Sequence, residues 1–474
     1  MIDLSSFAGK PVAVMGLARS GLAAARALAA GGAEVRAWDD AESGRQAAQD
    51  AGLNLVDLHR AESWTGVATL VLSPGIPHNF PKPHAVAERA RAAGAEIIGD
   101  IELLVRACPN ARYIGITGTN GKSTTTALIG HILKQAGVAV ETGGNLGIPV
   151  ANFATLGPDG IYVLELSSYQ LELTPSLACD VAVLLNLSPD HLDRHGGMDG
   201  YIAAKRRIFT GQKPGATAVV GMDDPDSRKI HAELAAQSAR TGVRVVGISS
   251  TQRVAGGVHA VDGVLRDDMD GGNVEAMSLA GIQTLPGVHN AQNAAAAWAA
   301  MRAIRLKSDA IITGIQGYPG LSHRQELVAI IDGVRYINDS KATNVDAAAR
   351  ALACYEEIFW IAGGRAKEGG LSALDLYLPR IRHAFLIGEA ADRFAEELRG
   401  RVSTTKSGTL ANAVRDARDA ALREGKAEPV VLLSPACASF DQYRDFEARG
   451  SNFRTLVAGL PGASRRVFKH GEAA

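Results

Sequence analysis

The chain has 474 residues, room for about three domains at roughly 150 residues each. Hydrophobic residues make up 46% and charged residues 21%, an ordinary globular balance that argues against disorder. Lys and Arg total 49 against 50 Asp and Glu, so the net charge of −1 argues against a generally basic nucleic-acid binder, a local patch aside. Aromatics at 5% with 52 glycines suit an α/β protein rich in tight strand–helix turns better than a β-sandwich. Cys108, Cys179, Cys354 and Cys437 lie far apart without a CxxC pair. Reduced thiols in a cytoplasmic protein are expected, not a zinc site or a disulfide framework. The start, Met1-Ile2-Asp3-Leu4, has no basic region followed by an apolar run, and no stretch is long enough to span a bilayer.

The first segment reads strand, turn, helix, strand. Pro11–Leu17 is an apolar run, Gly16–Gly21 the turn, and Leu22–Ala30 an Ala-rich helix closed by Gly31-Gly32. Strands follow at Glu34–Trp38, ending in Asp39-Asp40, and at Thr69–Leu72, ending in Ser73-Pro74-Gly75-Ile76. This is a Rossmann-like unit, expected over residues 1–105. A second unit, 106–320, opens with the strand Arg112–Thr117 and a helix through about Gln135. Further strands are expected at Ile161–Leu166, Val181–Leu187 and Ala216–Gly221, a Gly-rich β-hairpin insertion near 251–282, and a helix over Val288–Ile304. A third, Rossmann-like unit over 321–474 alternates strands at Leu327–Ile331, Val334–Asn338, Ile358–Ala362, Ala384–Ile387 and Val430–Leu433 with helical patterns. That alternation predicts a mostly parallel sheet.

The strongest chemical signal is Gly118-Thr119-Asn120-Gly121-Lys122-Ser123-Thr124, between a strand and a helix. Backbone N–H groups and the helix dipole there can hold phosphate, with Lys122 on the terminal phosphates and Ser123 toward Mg2+. The strict GxxxxGK spacing asks for glycine at position 116, which is Ile116; Gly115 and Gly118 flank it. Gly16-Leu17-Ala18-Arg19-Ser20-Gly21 is weaker, because Ala18 replaces the central glycine of GxGxxG. A nucleotide site and a well-packed strand–helix turn both remain open for it.

Glu165 ends a buried strand, where ligands bind in open sheets, and is a candidate Mg2+ ligand. A capping or ion-paired acid is the alternative. Asp190, His191, Asp193 and His195 crowd the stretch Asn186–His195, which lacks an HExxH pattern, so a hard cation on phosphate oxygens is a better reading than zinc. Lys205 falls with Tyr201, Ile202 and Phe209 on the apolar face of a helix; a snorkelling lysine is the plainer reading. Three strand ends of the third unit carry Asp339, Lys341 and Thr343, then Arg365 and Lys367, then Ser439 with Phe440 and Phe446 nearby. Loops from one sheet edge share a rim, which favours a binding site.

Taken together, GTNGKST, LELSSYQLE, NLSPDHLDRH, AAKRRIF, PGVHNAQN, His323-Arg324 and NDSKATN resemble the Mur ligases, ATP-dependent amino-acid-adding enzymes of peptidoglycan synthesis. The resemblance covers essentially the whole chain. It implies three domains: a Rossmann-like N-terminal one, a central P-loop ATPase-like parallel sheet and a Rossmann-like C-terminal one. SPGI at Ser73–Ile76 and SPACASFDQYRDFEARG at Ser434–Gly450 resemble the D-glutamate-adding members, and no DNPR-type motif is present.

By that resemblance Arg19, Ser20, Asp39, Asp40 and Gly75 would hold the UDP end of UDP-N-acetylmuramoyl-L-alanine, with Asn145 and His191 reaching the rest. Gly118–Ser123 and Thr124 would bind ATP, with Asn293 near the adenine. One Mg2+ would sit on Ser123 and Glu165, a second on His191 and a carbamylated Lys205. D-glutamate would meet Arg324, Lys367, Ser439 and Phe446, with Asp339, Lys341 and Thr343 between it and ATP. Lys122, His191 and Lys205 would be catalytic. The implied reaction phosphorylates a carboxylate, and the glutamate amine then attacks the acyl phosphate, under domain closure that excludes water. A cytoplasmic monomer is expected, with no nucleic-acid partner and no membrane insertion. A folylpolyglutamate synthase-like ligase shares the ATP loop and the lysine but gives no reason for the N-terminal domain. A nucleotide-gated scaffold needs no cationic loops in the third unit.

Overall fold

The computed structural model describes residues 1–145, 147–366, 370–425 and 427–467. The chain forms two compact units, one of residues 1–280 with 288–318, the other of 281–287 with the segment from Pro319 on.

The first unit carries two sheets. The smaller holds β1 (Pro11–Met15), β2 (Glu34–Trp38), β3 (Thr69–Leu72) and β4 (Glu96–Ile98), all parallel, in the order β2-β1-β3-β4. The turn after β1 is shorter than the sequence suggests. The strand stops at Met15, and Arg19 and Ser20 already belong to the helix Arg19–Ala30. That helix buries Ala24, Ala25, Ala27 and Leu28, small residues that let it lie close on the strands. Gly21 is the closest point: a Cβ there would fall 1.8 Å from the Gly16 carbonyl oxygen. Gly21→Ala is therefore expected to destabilise the first unit by about 1–3 kcal/mol through overpacking, read as a lower urea midpoint. An unchanged midpoint would contradict the packing described.

The larger sheet has nine strands: β5 (Arg112–Thr117), β6 (Val140–Gly144), β7 (Ile161–Glu165), β8 (Val181–Leu184), β9 (Thr217–Gly221), β10 (Arg244–Ser249), β11 (Val258–Val261), β12 (Val264–Asp267) and β13 (Val274–Ser278). Their order is β13-β12-β11-β10-β9-β8-β5-β7-β6. The segment near 251–282, expected as an inserted hairpin, does hold one in β11 and β12, and it joins this sheet as its outer third. β11 pairs parallel with β10, and β12 and β13 continue antiparallel. The helix Val288–Ala303 packs on it, and Trp298 Nε1 donates to Asp267 Oδ2 at 2.9 Å. That helix is mostly apolar and is buried from Asn290 through Met301.

The second unit is a seven-stranded sheet: β14 (Glu326–Ile331), β15 (Val334–Asn338), β16 (Ile358–Gly363), β17 (Ile381–Ile387), β18 (Thr404–Gly408), β19 (Val430–Leu433) and β20 (Arg465–Val467). Its order is β18-β17-β16-β19-β15-β14-β20, parallel from β18 to β15, with β14 and β20 antiparallel at one edge. Apolar layers cover both faces, around Trp360 and Leu386 on one and Phe359 and Phe453 on the other. Burial on both faces explains why β16, β17 and β19 read as continuous apolar runs. No described helix is long and apolar enough to cross a membrane.

Candidate active site

The loop after β5 turns on two glycines with positive φ, Gly118 at 146° and Gly121 at 84°. Gly121 is the N-cap of the helix Lys122–Gln135, and a Cβ on it would lie 2.3 Å from Asn293 Oδ1. Asn293 is locked there, accepting from Thr125 Oγ1 at 3.1 Å and donating to Asn290 Oδ1 at 3.0 Å. Asn186, just past β8, grips the loop from the other side. Its Oδ1 accepts from Asn120 N at 2.9 Å, and its backbone oxygen accepts from Thr119 N at 2.9 Å. Lys122 Nζ donates back to the carbonyls of Gly118 (2.8 Å) and Thr119 (2.9 Å), while Ser123 and Thr124 are buried in the first helical turn.

Lys205 is 2% exposed, on the helix Met198–Arg206. Its Nζ donates to the same Gly118 carbonyl at 2.8 Å and lies 4.7 Å over the Tyr201 ring. Burial, and then the Lys122 charge, push its pKa down to about 6, so the amine is neutral at neutral pH. The lysine therefore does not snorkel; it faces the phosphate loop.

Glu165 closes β7 beside β5, and its buried Oε1 accepts from Asn145 Nδ2 at 2.7 Å. Its other oxygen is buried with no hydrogen-bond partner. An orphaned carboxylate oxygen on the strand next to the phosphate loop fits a hard cation. Among the described residues no group of three or more His, Cys, Asp and Glu converges as a ready-made metal cage. His191 is half exposed at φ 52°, its ring 5.2 Å from that of Tyr169. His195 packs on the same Tyr169 ring at 5.2 Å and is buried, with Nε2 2.9 Å from Ser168 Oγ. Burial and the nearby Lys205 and Arg194 charges push His195 down to about 4, which makes it a neutral packing histidine.

Around the smaller sheet both oxygens of Asp39 accept backbone N–H groups, from Leu17 and from Ala41. Asp40 meets His59 at 3.0 Å and His84 at 2.9 Å. Partial burial alone would raise its carboxyl, but the two histidine contacts outweigh that and hold it below the usual range. Ser20 lies in the first turn after Gly16, and Gly75 is exposed in the loop after β3. Arg19 donates to the Gly147 carbonyl, two residues past Asn145. The start of the helix Arg19–Ala30 is thereby joined to the loop after β6, which begins with Glu165's partner Asn145.

In the second unit His323, Asn338 and Glu326 form one internal network. Asn338 Nδ2 lies 3.0 Å from both His323 Nδ1 and Glu326 Oε2, and Arg454 Nε donates to Glu326 Oε1 at 2.6 Å. This fixes the His323-Arg324 segment beside Lys341, whose N donates to the His323 carbonyl at 3.0 Å. Lys341 Nζ sits 5.6 Å over the Phe446 ring. Asp339 is buried, its Oδ2 accepting from Ser434 Oγ at 2.8 Å. Burial pushes it up to about 7 despite that bond. Thr343 N donates to the Lys341 carbonyl at 2.8 Å, and Ser439 is buried at the turn that leads to Phe446. So Arg324, Asp339, Lys341, Thr343, Ser439 and Phe446 belong to neighbouring segments of one rim. Lys367 lies outside the described residues.

Sequence reasoning passed over Asn186, Gln292 and Asp223. Asn186 Nδ2 donates to Gln292 Oε1 at 3.0 Å, and Gln292 Nε2 to Asp223 Oδ2 at 2.9 Å. Asp223 in turn accepts from Ser250 N at 3.0 Å. The usable signal was positional: Asn186 and Asp223 each stand two residues beyond a buried strand.

A glycine-turned phosphate loop, a buried acid on the adjacent strand and a buried lysine on the loop carbonyl define a nucleotide-using enzyme on a parallel sheet. The chain matches the Mur ligase middle domain over residues 116–301 and the Mur ligase, glutamate ligase domain over 323–437. It is 54% identical over 465 residues to the UDP-N-acetylmuramoylalanine--D-glutamate ligase of Rhodospirillum rubrum, covering 97% of each chain. It is 52% identical over 466 residues to the same-named protein of Caulobacter vibrioides, covering 97% of this chain and 98% of that one. Among solved structures, UDP-N-acetylmuramate-alanine ligase from Thermotoga maritima shares the fold at TM-score 0.57 and 16% identity, over 95% of this chain and 99% of that one. A MurF ligase from the same organism, in complex with ADP, does so at TM-score 0.54 and 18% identity, over 83% and 90%. The chain belongs to the Mur ligase family, a family of ATP-dependent ligases.

Proposed function

We infer that this chain joins D-glutamate to UDP-N-acetylmuramoyl-L-alanine with cleavage of ATP to ADP and phosphate, in peptidoglycan precursor synthesis. The observation that carries the reading is that relatives about half identical over 97% of the chain share one name for this reaction. In this reading residues 1–105 take the UDP end of the acceptor, 106–320 take ATP and 321–474 take the amino acid, in a cytoplasmic monomer.

A carboxylate is a poor electrophile, so the alanyl carboxylate must first accept the terminal phosphoryl group of ATP. Lys122, at the mouth of the loop, would lie against the oxygens that gain negative charge. The loop amides and the start of the helix Lys122–Gln135 would hold the remaining phosphates. Mg2+ would be held by Ser123 and Glu165, the orphaned Glu165 oxygen supplying a hard ligand, and would neutralise phosphate charge. A second ion would use His191 and Lys205 as its carbamate. The neutral Lys205 amine is the form that would add to CO2: its nitrogen would bond the carbon as one C–O π pair moves to oxygen, a proton would be released, and the neutral amine would become an anionic carbamate. The glutamate amine then attacks the acyl carbon through a tetrahedral intermediate, and phosphate leaves. Arg324, Lys367, Ser439 and Phe446 would orient the amino acid, with Asp339, Lys341 and Thr343 alongside.

The test is phosphate release with UDP-N-acetylmuramoyl-L-alanine and a panel of amino acids. Release that depends on D-glutamate supports the reading; release without an acceptor, or with another amino acid preferred, overturns it. For the site itself, Arg324→Ala and Ser439→Ala are each expected to raise the KM for D-glutamate far more than that for ATP. One lost charge-assisted contact costs about 1.5–3 kcal/mol, roughly ten- to a hundred-fold. Equal effects on both substrates would take the amino acid away from this rim.

A further inference from the structure

The stretch Ser434–Gly450, which resembles the D-glutamate-adding members, contains Arg449, which the reaction above does not use. Arg449 lies in the first turn of the helix Phe446–Ala458 and is 1% exposed. Its Nε donates to Ser340 Oγ at 3.0 Å, and its Nη2 donates to the carbonyls of Ser340 (2.9 Å) and Cys437 (3.1 Å). Ser340 Oγ in turn donates to the Phe446 carbonyl at 2.8 Å. The remaining nitrogen, Nη1, is buried without a partner, next to Gly364, where a Cβ would come within 3.3 Å of it. One guanidinium thus touches the ends of β15, β19 and β16, which are adjacent in the sheet, and the start of the helix that presents Phe446.

Among the described residues every hydrogen-bond acceptor of Arg449 is neutral. Among the described residues no carboxylate comes within ion-pairing distance of it. The acids that feel its charge are occupied elsewhere: Asp339 by Ser434 and the Gln325 amide, Asp441 by the Glu389 amide. A buried, uncompensated cation is costly, and a neutral donor would serve if these loops needed only hydrogen bonds. The charge has a use if an anion comes to the rim above it, because a fixed charge in a water-poor site attracts it without reorganising.

We propose that Arg449 is a positioning residue for the amino-acid substrate. It holds the Asp339–Thr343, Ser434–Ser439 and Phe446 segments in one register and sets a positive charge beneath the place where the substrate carboxylates bind. This rests on the reading of the second unit as the amino-acid site.

The experiment uses the full chain with Arg449→Gln, which removes the charge but keeps a donor, and Arg449→Lys, which keeps the charge. KM is measured for D-glutamate, ATP and the UDP-linked acceptor, with melting temperatures alongside. Arg449→Gln is expected to raise the KM for D-glutamate about ten-fold or more, the size of one lost charge-assisted interaction. The other two KM values should stay within about two-fold, and Arg449→Lys should recover most of the loss. A purely structural staple would move all three constants with the melting temperature, and that pattern, or an unchanged D-glutamate KM, overturns the proposal. If Arg449→Gln fails to fold, Ser340→Ala cuts the same bridge from the other side and must raise the D-glutamate KM selectively. The parent enzyme is first run on the amino-acid panel. If it prefers another amino acid, the functional reading fails by itself, and the same ratios are read with the preferred one.

Discussion

Lys122→Ala is expected to lose about a hundred- to a thousand-fold in turnover while keeping its fold. Lys122 leaves the first residue of a helix and bends back over the loop, onto the Gly118 and Thr119 carbonyls. In the proposed reaction a cation held there would meet the phosphoryl oxygens as they gain charge, and the loss of one such preorganised donor costs about 2.7–4 kcal/mol in other sites of this kind. Lys205, the other ammonium-bearing side chain on that carbonyl, is driven toward neutrality by burial and cannot replace it. Circular dichroism and melting should match the parent. Parent-like turnover at saturating ATP would remove the nucleotide from this loop.

Replacement of Lys205 should be nearly as damaging, for a different reason. A protonated lysine would repel two Mg2+ ions, and an ordinary lysine has a pKa near about 10.4. Here the side chain is enclosed by Tyr201, Thr117 and the loop carbonyl, which strips its hydration and leaves the free amine. Lys205→Ala should lose on the order of a hundred-fold in activity, as expected when a metal site is disturbed. Formate or acetate should restore part of it by filling the vacated oxygen-ligand position. Lys205→Arg keeps a charge but cannot form the carbamate, and should stay inactive. The idea is lost if Lys205→Arg matches the parent, or if mass analysis in bicarbonate finds an unmodified amine.

Much of this site could be read from residue order because its chemistry sits at strand ends. Glu34–Trp38, Thr69–Leu72, Arg112–Thr117, Val334–Asn338 and Val430–Leu433 fall where apolar periodicity puts them. The residues just past such strands are the candidates for chemistry. The apolar strand β10 was passed over, and two other strands that escaped had a weak apolar signal. β6 reads Val-Glu-Thr-Gly-Gly and β18 reads Thr-Thr-Lys-Ser-Gly, half-buried strands without an apolar run. The stretch near 251–282 alternates as a hairpin does, but alternation cannot say which neighbour a strand joins. Lys205 was ambiguous for a related reason. A helical pattern gives the face, whereas the partner that makes a buried amine useful, the Gly118 carbonyl, lies 87 residues away in the chain. Asn186 and Gln292, 106 residues apart, are invisible as a pair for the same reason.

The helix Val288–Ala303 has one further consequence. Ala294, Ala295, Ala296, Ala297, Ala299 and Ala300 are fully buried, and alanine has no rotamers to lose. The frame that carries Asn290 and Asn293 therefore has almost no side-chain freedom of its own, and Thr125 and Gly121 close around Asn293 from the opposite helix. In the proposed function, a base that came to these amides would find them already held in one orientation. The ordering entropy of that encounter falls on the incoming molecule, and weak polar contacts there can still discriminate between bases.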